Sequence, residues 1–356
     1  MSHTLRDTLY RLLDAPGPSG FETEAADVWR DVASDFSSEV WSDVHGNSFA
    51  SNGVEKGPTI MLAGHVDEIG LMVHYIDDDG FLFVRGVGGW DPQVLVGQRV
   101  LILTSKGAVS GVIGRRAIHL LQPNERKKAV KMKDLWVDIG VDNGDAAREL
   151  VSIGDVGVIA SETISLGESV VAGRSIDDRA GAAVALEALR RVVARGSDVR
   201  VVAVATAQEE ISGRSGGGAR TSSFALEPDA AIVIAVTHAT DHPHSNKKEF
   251  GDVRVGGGPV LSRGAQINAR MVTDLTEAAS RAGIEPQWQA APSGTGTDLD
   301  GIFTTRSGVA TALISLANRY MHSPNQLVDL RDLDAAAEII AEYIAGLKPG
   351  APFLSN

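Results

Sequence analysis

Uninterrupted apolar runs alternate with stretches of helical periodicity, and this alternation most restricts the folds open to the chain. The runs are six to eight residues long: Thr59–Gly64, Arg200–Ala207, Ala230–Val236 and Val309–Leu316. Apolar runs of this length indicate strands buried on both faces, as in parallel sheets. Apolar residues at helical spacing predict helices at Leu5–Leu13, Glu22–Phe36, Ala180–Arg195, Asn268–Ala282 and Asp332–Leu347. The pattern therefore predicts an α/β fold, a mostly parallel sheet with helices on both faces.

Between residues 70 and 160 the pattern changes. Short β-like runs alternate with glycines, and there is no long helical stretch: Phe81–Arg85, Arg99–Leu103, Ala108–Ile113 and Val156–Ile159. Such spacing is typical of a small barrel or sandwich. We therefore expect one α/β domain built from residues 1–69 and 161–356, interrupted by an inserted β-barrel domain at 70–160.

Composition excludes several function classes. The net charge of −13 argues against a nucleic-acid surface, and it would repel anionic membranes. The 356 residues include no cysteine, which excludes disulfides, thiolate metal sites and cysteine nucleophiles. The N-terminus lacks the apolar core of a signal peptide, and the apolar runs are too short to span a membrane. We expect a cytoplasmic protein.

Histidines and carboxylates follow four apolar segments that we expect to be strands of the same sheet: Thr59–Gly64, Ser169–Ile176, Arg200–Ala207 and Val309–Leu316. The polar groups are, in the same order, His65-Val66-Asp67-Glu68, Asp177-Asp178-Arg179, Gln208-Glu209-Glu210 and, six residues beyond its strand, His322. Ligands of open α/β sheets bind outside the carboxyl ends of the strands, so four such ends would bring these side chains to one edge.

Taken singly, these motifs have structural explanations. Asp177-Asp178 suits a helix N-terminus, and Glu209-Glu210 a solvated face. Together they predict a metal site, because buried unpaired charge is costly and histidine with carboxylate suits zinc, manganese or cobalt. A carboxylate between two metals can bridge them, and an adjacent unligated glutamate can act as general base. Asp67 is placed to accept the other imidazole N–H of His65.

Five ordered motifs resemble the glutamyl/deblocking aminopeptidases of the tetrahedral (TET) type, whose relatives are sometimes labelled endoglucanases. The motifs are His65-x-Asp67-Glu68-Ile69-Gly70, Ile176-Asp177-Asp178-Arg179-x-Gly181, Gln208-Glu209-Glu210-x-x-Gly213, Gly296-Thr297-Asp298 and His322-Ser323-Pro324. The resemblance implies a metallo-aminopeptidase that releases N-terminal residues from peptides by metal-activated water. It implies one or two divalent ions (zinc, cobalt or manganese) per chain, and self-association through the insert into dimers or a tetrahedral dodecamer.

The resemblance also assigns roles to individual residues. His65, Asp177, Glu210 and His322 would be metal ligands, with Asp177 bridging. Glu209 would be the general base, and Asp67 would orient His65.

One position departs from the family pattern. The strand leading into Val236-Thr237-His238 carries Ala235 where the family has a metal-binding aspartate. The first metal would then keep His65 and the bridging Asp177, fewer than the three protein ligands usual for catalytic zinc. His238 and Asp241 are candidate substitutes. The alternative is a catalytically impaired assembly or binding protein with the same fold.

A serine hydrolase is a further alternative. Gly213-Arg214-Ser215-Gly216-Gly217 matches a nucleophile-elbow pattern, and Asp298 and His322 follow in triad order. However, such an elbow places serine directly at the end of a strand, whereas Gln208–Ser212 intervene here. The pattern therefore favours a glycine-rich turn.

Overall fold

The computed structural model describes residues 4–348, 350 and 353. The helices are α1 Leu5–Asp14, α2 Thr23–Ser34, α3 Gly144–Leu150, α4 Ile176–Arg195, α5 Glu209–Ser212, α6 Gly217–Leu226, α7 Lys247–Phe250, α8 Ala269–Arg281, α9 Leu299–Ile302 and α10 Leu330–Gly346. The first strands are β1 Glu39–Ser42, β2 Ser48–Ser51, β3 Thr59–His65, β4 Gly70–Ile76, β5 Leu82–Val87, β6 Arg99–Thr104, β7 Gly107–Arg115, β8 Leu135–Asp138 and β9 Val156–Ile159. The remaining strands are β10 Ile164–Leu166, β11 Val170–Gly173, β12 Arg200–Thr206, β13 Ala230–His238, β14 Val260–Gly264, β15 Gln287–Ala291, β16 Ala310–Asn318 and β17 Gln326–Asp329. Short 3-10 turns lie at Pro92–Leu95, Ile118–Leu120, Met132–Asp134 and Gly213–Ser215.

An eight-stranded sheet forms the centre of the molecule, in the order β1-β2-β12-β3-β13-β16-β14-β15. The four apolar runs form its middle strands β12, β3, β13 and β16, which pair in parallel. Three other pairs, β1 with β2, β2 with β12, and β14 with β16, are antiparallel. The predicted α/β fold is confirmed, with antiparallel strands towards both edges.

Helix α4 crosses the sheet at unusually close range. A Cβ on Gly64, near the end of β3, would lie 2.5 Å from the backbone carbon of Gly181 in α4. Only glycine allows two backbones to approach this closely. The close approach brings the start of α4, with Asp177, beside the end of β3, with His65.

The two faces of the sheet carry separate apolar layers. Alternate residues of β13 divide between them: Ile232 and Ile234 pack in the layer that contains α4 and α10, whereas Val233 and Ala235 pack in the other. Most of α4 is buried, because Ala180–Leu189 consists of alanine, glycine, valine and leucine apart from Glu187. This helix is therefore part of the core.

A second core lies inside a closed barrel of six strands, ordered β4-β5-β8-β7-β6-β9. Its strands run from Gly70 to Ile159 and enclose apolar side chains that include Leu71, Leu82 and Ile102. The barrel predicted for this part of the chain is therefore present. The division into domains at residues 69/70 and 160/161 remains a prediction.

One expectation about topology was wrong. We expected the strand before Asp177 to belong to the large sheet, but β11 lies in a separate antiparallel sheet, ordered β10-β11-β17. Asp177 therefore reaches the site from the first turn of α4. The misleading feature was the short apolar run Val170–Ala172, which does not show which strand it pairs with.

Across the described ranges, no helix is both long enough and apolar enough to cross a membrane.

Candidate metal centre

The four residues expected to bind metal meet at the carboxyl ends of β3, β12 and β16. Asp177 lies between the two histidines: its Oδ1 is 3.2 Å from Nε2 of His65, and its Oδ2 is 3.3 Å from Nε2 of His322. Glu210 Oε1 lies 3.3 Å from the same nitrogen of His322. Each oxygen of one carboxylate thus faces a different imidazole, the arrangement that a bridging ligand requires.

Backbone and carboxylate partners orient both imidazole rings. The Nδ1 of His322 lies 2.8 Å from the carbonyl oxygen of Gly89. A carbonyl can only accept, so Nδ1 carries the proton and Nε2 faces Asp177 and Glu210. His65 is held similarly, since its Nδ1 lies 3.3 Å from Oδ1 of Asp67.

Asp67 also positions the two adjacent glutamates. Its carboxylate accepts the backbone N–H of Glu209 and that of Glu210, each at 3.1 Å. Asp67 is fully buried, and it lies two residues beyond β3. One carboxylate therefore fixes a histidine from one strand end and the glutamate pair from another.

A further carboxylate in this arrangement was missed by the sequence analysis. Glu22, buried just before α2, accepts the N–H of Gly20 at 2.6 Å and that of Gln208 at 3.2 Å. Burial and the charge of Asp67 raise its pKa to about 7. No sequence signal marks this contact, because Glu22 and Gln208 are 186 residues apart.

Burial also perturbs the ionisation of the central groups. It raises the pKa of Glu209 to about 8, and Asp298 and Glu210 add to the shift. Hydrogen bonds with Asp177 and Glu210 raise the pKa of His322 to about 10. Burial acts to lower the pKa of His65, but its bonds with Asp177 and Asp67 outweigh this and raise it well above the usual range.

The centre holds more carboxyl groups than basic side chains. Six buried or largely buried carboxyl groups surround the two imidazoles: Asp67, Asp177, Asp178, Glu209, Glu210 and Asp298. Among the side chains that the structure describes, no lysine or arginine forms an ion pair with any of these six. Ionising this many buried carboxyl groups is costly without a cation, and the raised pKa of Glu209 reflects that cost.

The donor set fits a divalent metal. Ligand atoms of His65, Asp177 and Glu210 all lie within 4.8 Å of one another. Imidazole nitrogen and carboxylate oxygen are ligands that zinc, manganese and cobalt accept. The residues present therefore fit one divalent ion or two.

The match to a known family follows this geometry. Residues 46–339 match the model of the M42 glutamyl aminopeptidases. The chain belongs to this family. The predicted family is thus confirmed, and the chain is a hydrolase of the peptidase class.

Relatives and solved structures cover nearly the full chain. The lysyl aminopeptidase of Pyrococcus furiosus is 34% identical over 346 residues, 96% of this chain and 97% of the relative. The TET aminopeptidase structure from a marine-sediment Thaumarchaeota archaeon is 33% identical, with a TM-score of 0.90 and 96% of each chain covered. The TET1 peptidase of Pyrococcus horikoshii, described as assembling into a tetrahedron or a large octahedral shell, is 28% identical with a TM-score of 0.85, covering 97% of this chain and 100% of its own.

Ala235 lies near the end of β13, the strand next to β3. The two strands pair in parallel as far as Val233 opposite Ala63. Continuing this register by two residues would place Ala235 beside His65 on the same face. Neighbouring strands lie about 4.8 Å apart. Ala235 is 5% exposed and packs in the apolar layer.

The two side chains considered as substitutes for the missing aspartate have other surroundings. Asp241 accepts hydrogen bonds from the guanidinium of Arg319 and from the backbone N–H of Val255. His238 is exposed at the end of β13.

The arrangement needed for a serine hydrolase is not present among the described side chains. Ser215 is exposed, and its hydroxyl donates to the backbone carbonyl of Ser212 at 2.6 Å. His322 faces Asp177 and Glu210, and Asp298 accepts from Thr206. The glycine-rich segment is a 3-10 turn, as the favoured interpretation requires.

Proposed function

We propose that this M42 chain is a metal-dependent aminopeptidase that removes N-terminal residues from peptides. The observation that carries the proposal is Asp177, whose two carboxylate oxygens face two different histidines. The excess of buried carboxylates around it supports occupation by cations. The relatives named aminopeptidases support the choice of peptides as substrates.

His65, Asp177, Glu210 and His322 would hold the metal, with Asp177 shared between two ions where both are bound. A divalent ion there supplies Lewis-acid chemistry, since it polarises a peptide carbonyl and makes water a stronger nucleophile at neutral pH. The set suits zinc, cobalt or manganese. Asp67 would keep His65 in the tautomer whose Nε2 is free to coordinate.

We assign Glu209 the role of general base. Its Oε2 lies 3.9 Å from Nε2 of His65, and the residue lines a cavity of about 420 Å³ together with Glu210 and Thr297. In the proposed reaction Glu209 accepts a proton from water as the water oxygen bonds to the scissile carbonyl carbon. When the C–N bond breaks, the same carboxyl group returns that proton to the leaving amine.

Ala235 favours a second candidate function. Without the aspartate, the site at His65 keeps fewer anionic ligands, and the chain would be a catalytically impaired assembly or binding protein with one firmly held ion. We place the enzyme first because Asp177, Glu210 and His322 still offer three protein ligands, enough for a catalytic zinc.

Assembly is part of the proposal. The Pyrococcus horikoshii relative assembles into closed shells, and we propose that this chain self-associates into dimers or a tetrahedral dodecamer through the region 70–160. We place the protein in the cytoplasm, with peptides rather than nucleic acid or membrane as partners.

Turnover of aminoacyl-anilides separates the two functions. We expect hydrolysis that exhaustive chelation abolishes and that added zinc, cobalt or manganese restores. Activity that survives chelation would contradict metal dependence. Absence of turnover across acidic, basic and neutral anilides with every added metal would favour the impaired protein.

A further inference from the structure

The barrel carries a second cavity on the other side of a glycine-rich loop from the metal centre. It has a volume of about 530 Å³. Phe83, Trp90 and Met132 form apolar walls, and His74, Arg85 and Lys133 add basic side chains. Tyr75 extends this wall, because its ring lies 5.9 Å from that of Phe83 and the side chain is 52% exposed.

The charge of this cavity is opposite to that of the whole chain. The protein carries a net charge of −13, yet no carboxylate lines the cavity among the described residues. Arg85 and Lys133 are exposed, and neither has a carboxylate partner in residues 4–348. The neighbouring carboxylates are hydrogen-bonded within their own turns: Asp91 accepts the N–H of Gln93, and Asp134 accepts the N–H of Lys131.

The loop that forms one wall also contacts the metal centre. Gly88 lines the cavity, and a Cβ placed on it would lie 3.4 Å from Cβ of Glu210. The next residue, Gly89, accepts the hydrogen bond that orients His322. The cavity is therefore within reach of a peptide that occupies the centre.

A peptide has the polarity to match both cavities. The 420 Å³ cavity at Glu209 and Glu210 is also lined by Asp300, so it is acidic and suits the terminal ammonium group. The basic cavity suits the opposite, carboxylate end. Arg85 precedes Gly88 by three residues, so their Cα atoms are at most about 11 Å apart. An extended peptide covers that span, and the further distance to the centre, in about three to five residues.

We propose that the cavity lined by Arg85 and Lys133 binds the C-terminal carboxylate of short peptide substrates. It would favour peptides of about four to six residues, with apolar side chains against Phe83 and Trp90. This inference rests on the proposed aminopeptidase function. It adds a length preference and a preference for a free carboxyl terminus.

The test compares matched peptides on the intact protein. A series of three to eight residues with one neutral N-terminal residue is prepared both as free acids and as C-terminal amides. We expect a KM about fivefold lower for the acid than for the amide at four to six residues, and a difference that shrinks with added salt. The double variant Arg85→Gln/Lys133→Gln should remove the difference and leave anilide turnover unchanged.

A matched double variant controls for net charge. Arg99→Gln/Lys127→Gln removes two exposed charges of the same barrel that do not line the cavity, and it should keep the acid preference. Equal KM values for acid and amide at every length would overturn the proposal. A preference for the free acid that persists in the cavity variant would also overturn it. So would an amidated peptide whose acidic side chain near the C-terminus gives the same KM as the free acid.

Binding without turnover separates this proposal from the function on which it rests. N-acetylated hexapeptides present no free amino terminus for an aminopeptidase, and calorimetric titration compares their acid and amide forms. Tighter binding of the acid, lost in the cavity variant, would support the site even if no anilide were hydrolysed. If the cavity variant changes only the sedimentation of the protein, the cavity is a contact between copies of the chain and the proposal fails.

Discussion

Two neighbouring glutamates at the centre differ in what they contact. Glu210 Oε1 lies 3.3 Å from Nε2 of His322, and Glu210 is also close to Asp177. Glu209 Oε2 lies 3.9 Å from Nε2 of His65. The first position suits a ligand and the second a base, although one backbone step separates them.

Replacing Glu209 by glutamine should therefore abolish catalysis without removing metal. Glu209→Gln keeps size and hydrogen-bonding capacity but cannot accept the proton, so kcat should fall by about 10²–10⁴-fold. Metal content, measured by elemental analysis after dialysis, should stay at the parent level. The matched change Glu210→Gln should lower the metal content instead, and the reverse pattern would mean that the two roles are exchanged.

Ala235 should limit the occupancy of one metal site. An apolar methyl group replaces the aspartate of the family pattern, so we expect one firmly held ion per chain and a second that is lost on dialysis. Ala235→Asp should raise both the metal content and the turnover. Ala235→Asn has nearly the same size but no charge, and it should do neither. Two tightly bound ions in the parent protein would contradict this prediction.

At the scale of secondary-structure elements, a buried group of ion pairs connects the segments that carry the site. Arg179 in α4 is fully buried and donates to Glu68 and to three backbone carbonyls, those of Leu12, Ala15 and Val66. Arg174 donates to the same carboxylate. One ion-pair group thus joins α1, the segment after β3 that contains Asp67, and the first turn of α4.

Removing the buried guanidinium group of Arg179 should lower the free energy of unfolding. Arg179→Met leaves Glu68 with Arg174 alone and three carbonyl groups short of a donor, so the free energy of unfolding should fall by about 3–5 kcal/mol. The matched change Arg116→Met breaks an exposed pair with Glu125 and should lower the free energy of unfolding far less, because solvent screens such pairs. Urea denaturation measures both, and equal losses would contradict the structural role.

Helices α4 and α10 are joined by a network that should respond to acid. Burial acts to raise the pKa values of Glu187 and Glu338, but hydrogen bonds from arginines outweigh it and hold both values below the ordinary 4.5. Glu187 accepts from Arg190 and Arg191, and Glu338 accepts from Arg195 and Arg191. The unfolded chain therefore binds protons first as pH falls. The stabilisation is present above pH 4.5 and is lost as pH falls through the lowered values.

Arg191→Met tests this network. Its loss of unfolding free energy relative to the parent should be largest near neutral pH and should shrink below pH 4.5, because protonation removes the same interaction from the parent. Arg270→Met, which breaks an exposed pair with Asp274 in α8, serves as the control. A difference between Arg191→Met and the parent that does not vary with pH would contradict the assignment.

At the scale of the whole molecule, the middle of the sheet was predictable and its connections were not. Thr59–Gly64 has no polar alternation, so burial on both faces followed from the residues themselves. The pairing of β11 with β17 joins segments more than 150 residues apart, as Val171 opposite Val328 illustrates. No local pattern records such pairing, so the route by which Asp177 arrives was predicted wrongly.

The site divides in the same way. The four residues that meet at the centre could be predicted from the sequence, because they are histidines and acids that follow apolar runs and the strand ends of one sheet share an edge. The Glu22 carboxylate accepts the backbone N–H of Gln208, and the carbonyl oxygen of Gly89 accepts a hydrogen bond from His322. A contact with a backbone group cannot be predicted from the side chain at that position. Their contributions required the structure.

The proposed assembly has a direct measurement. The chain mass is 37.4 kDa, and sedimentation equilibrium of the intact protein should give a multiple of this mass. Dimer and dodecamer would both agree with the proposal. A monomer at micromolar concentration would contradict it.

The closed barrel has a consequence for how quickly the chain can fold. Strands β4 and β9, its first and last, pair with Leu71 opposite Gly157. Once the barrel has formed, the chain enters and leaves it at neighbouring points. Strand β3 must find β12 across more than 130 residues of sequence, and the entropy of closing a loop grows with its length. A barrel that folds first reduces that search to a much shorter effective loop, so the long insert need not slow formation of the central sheet.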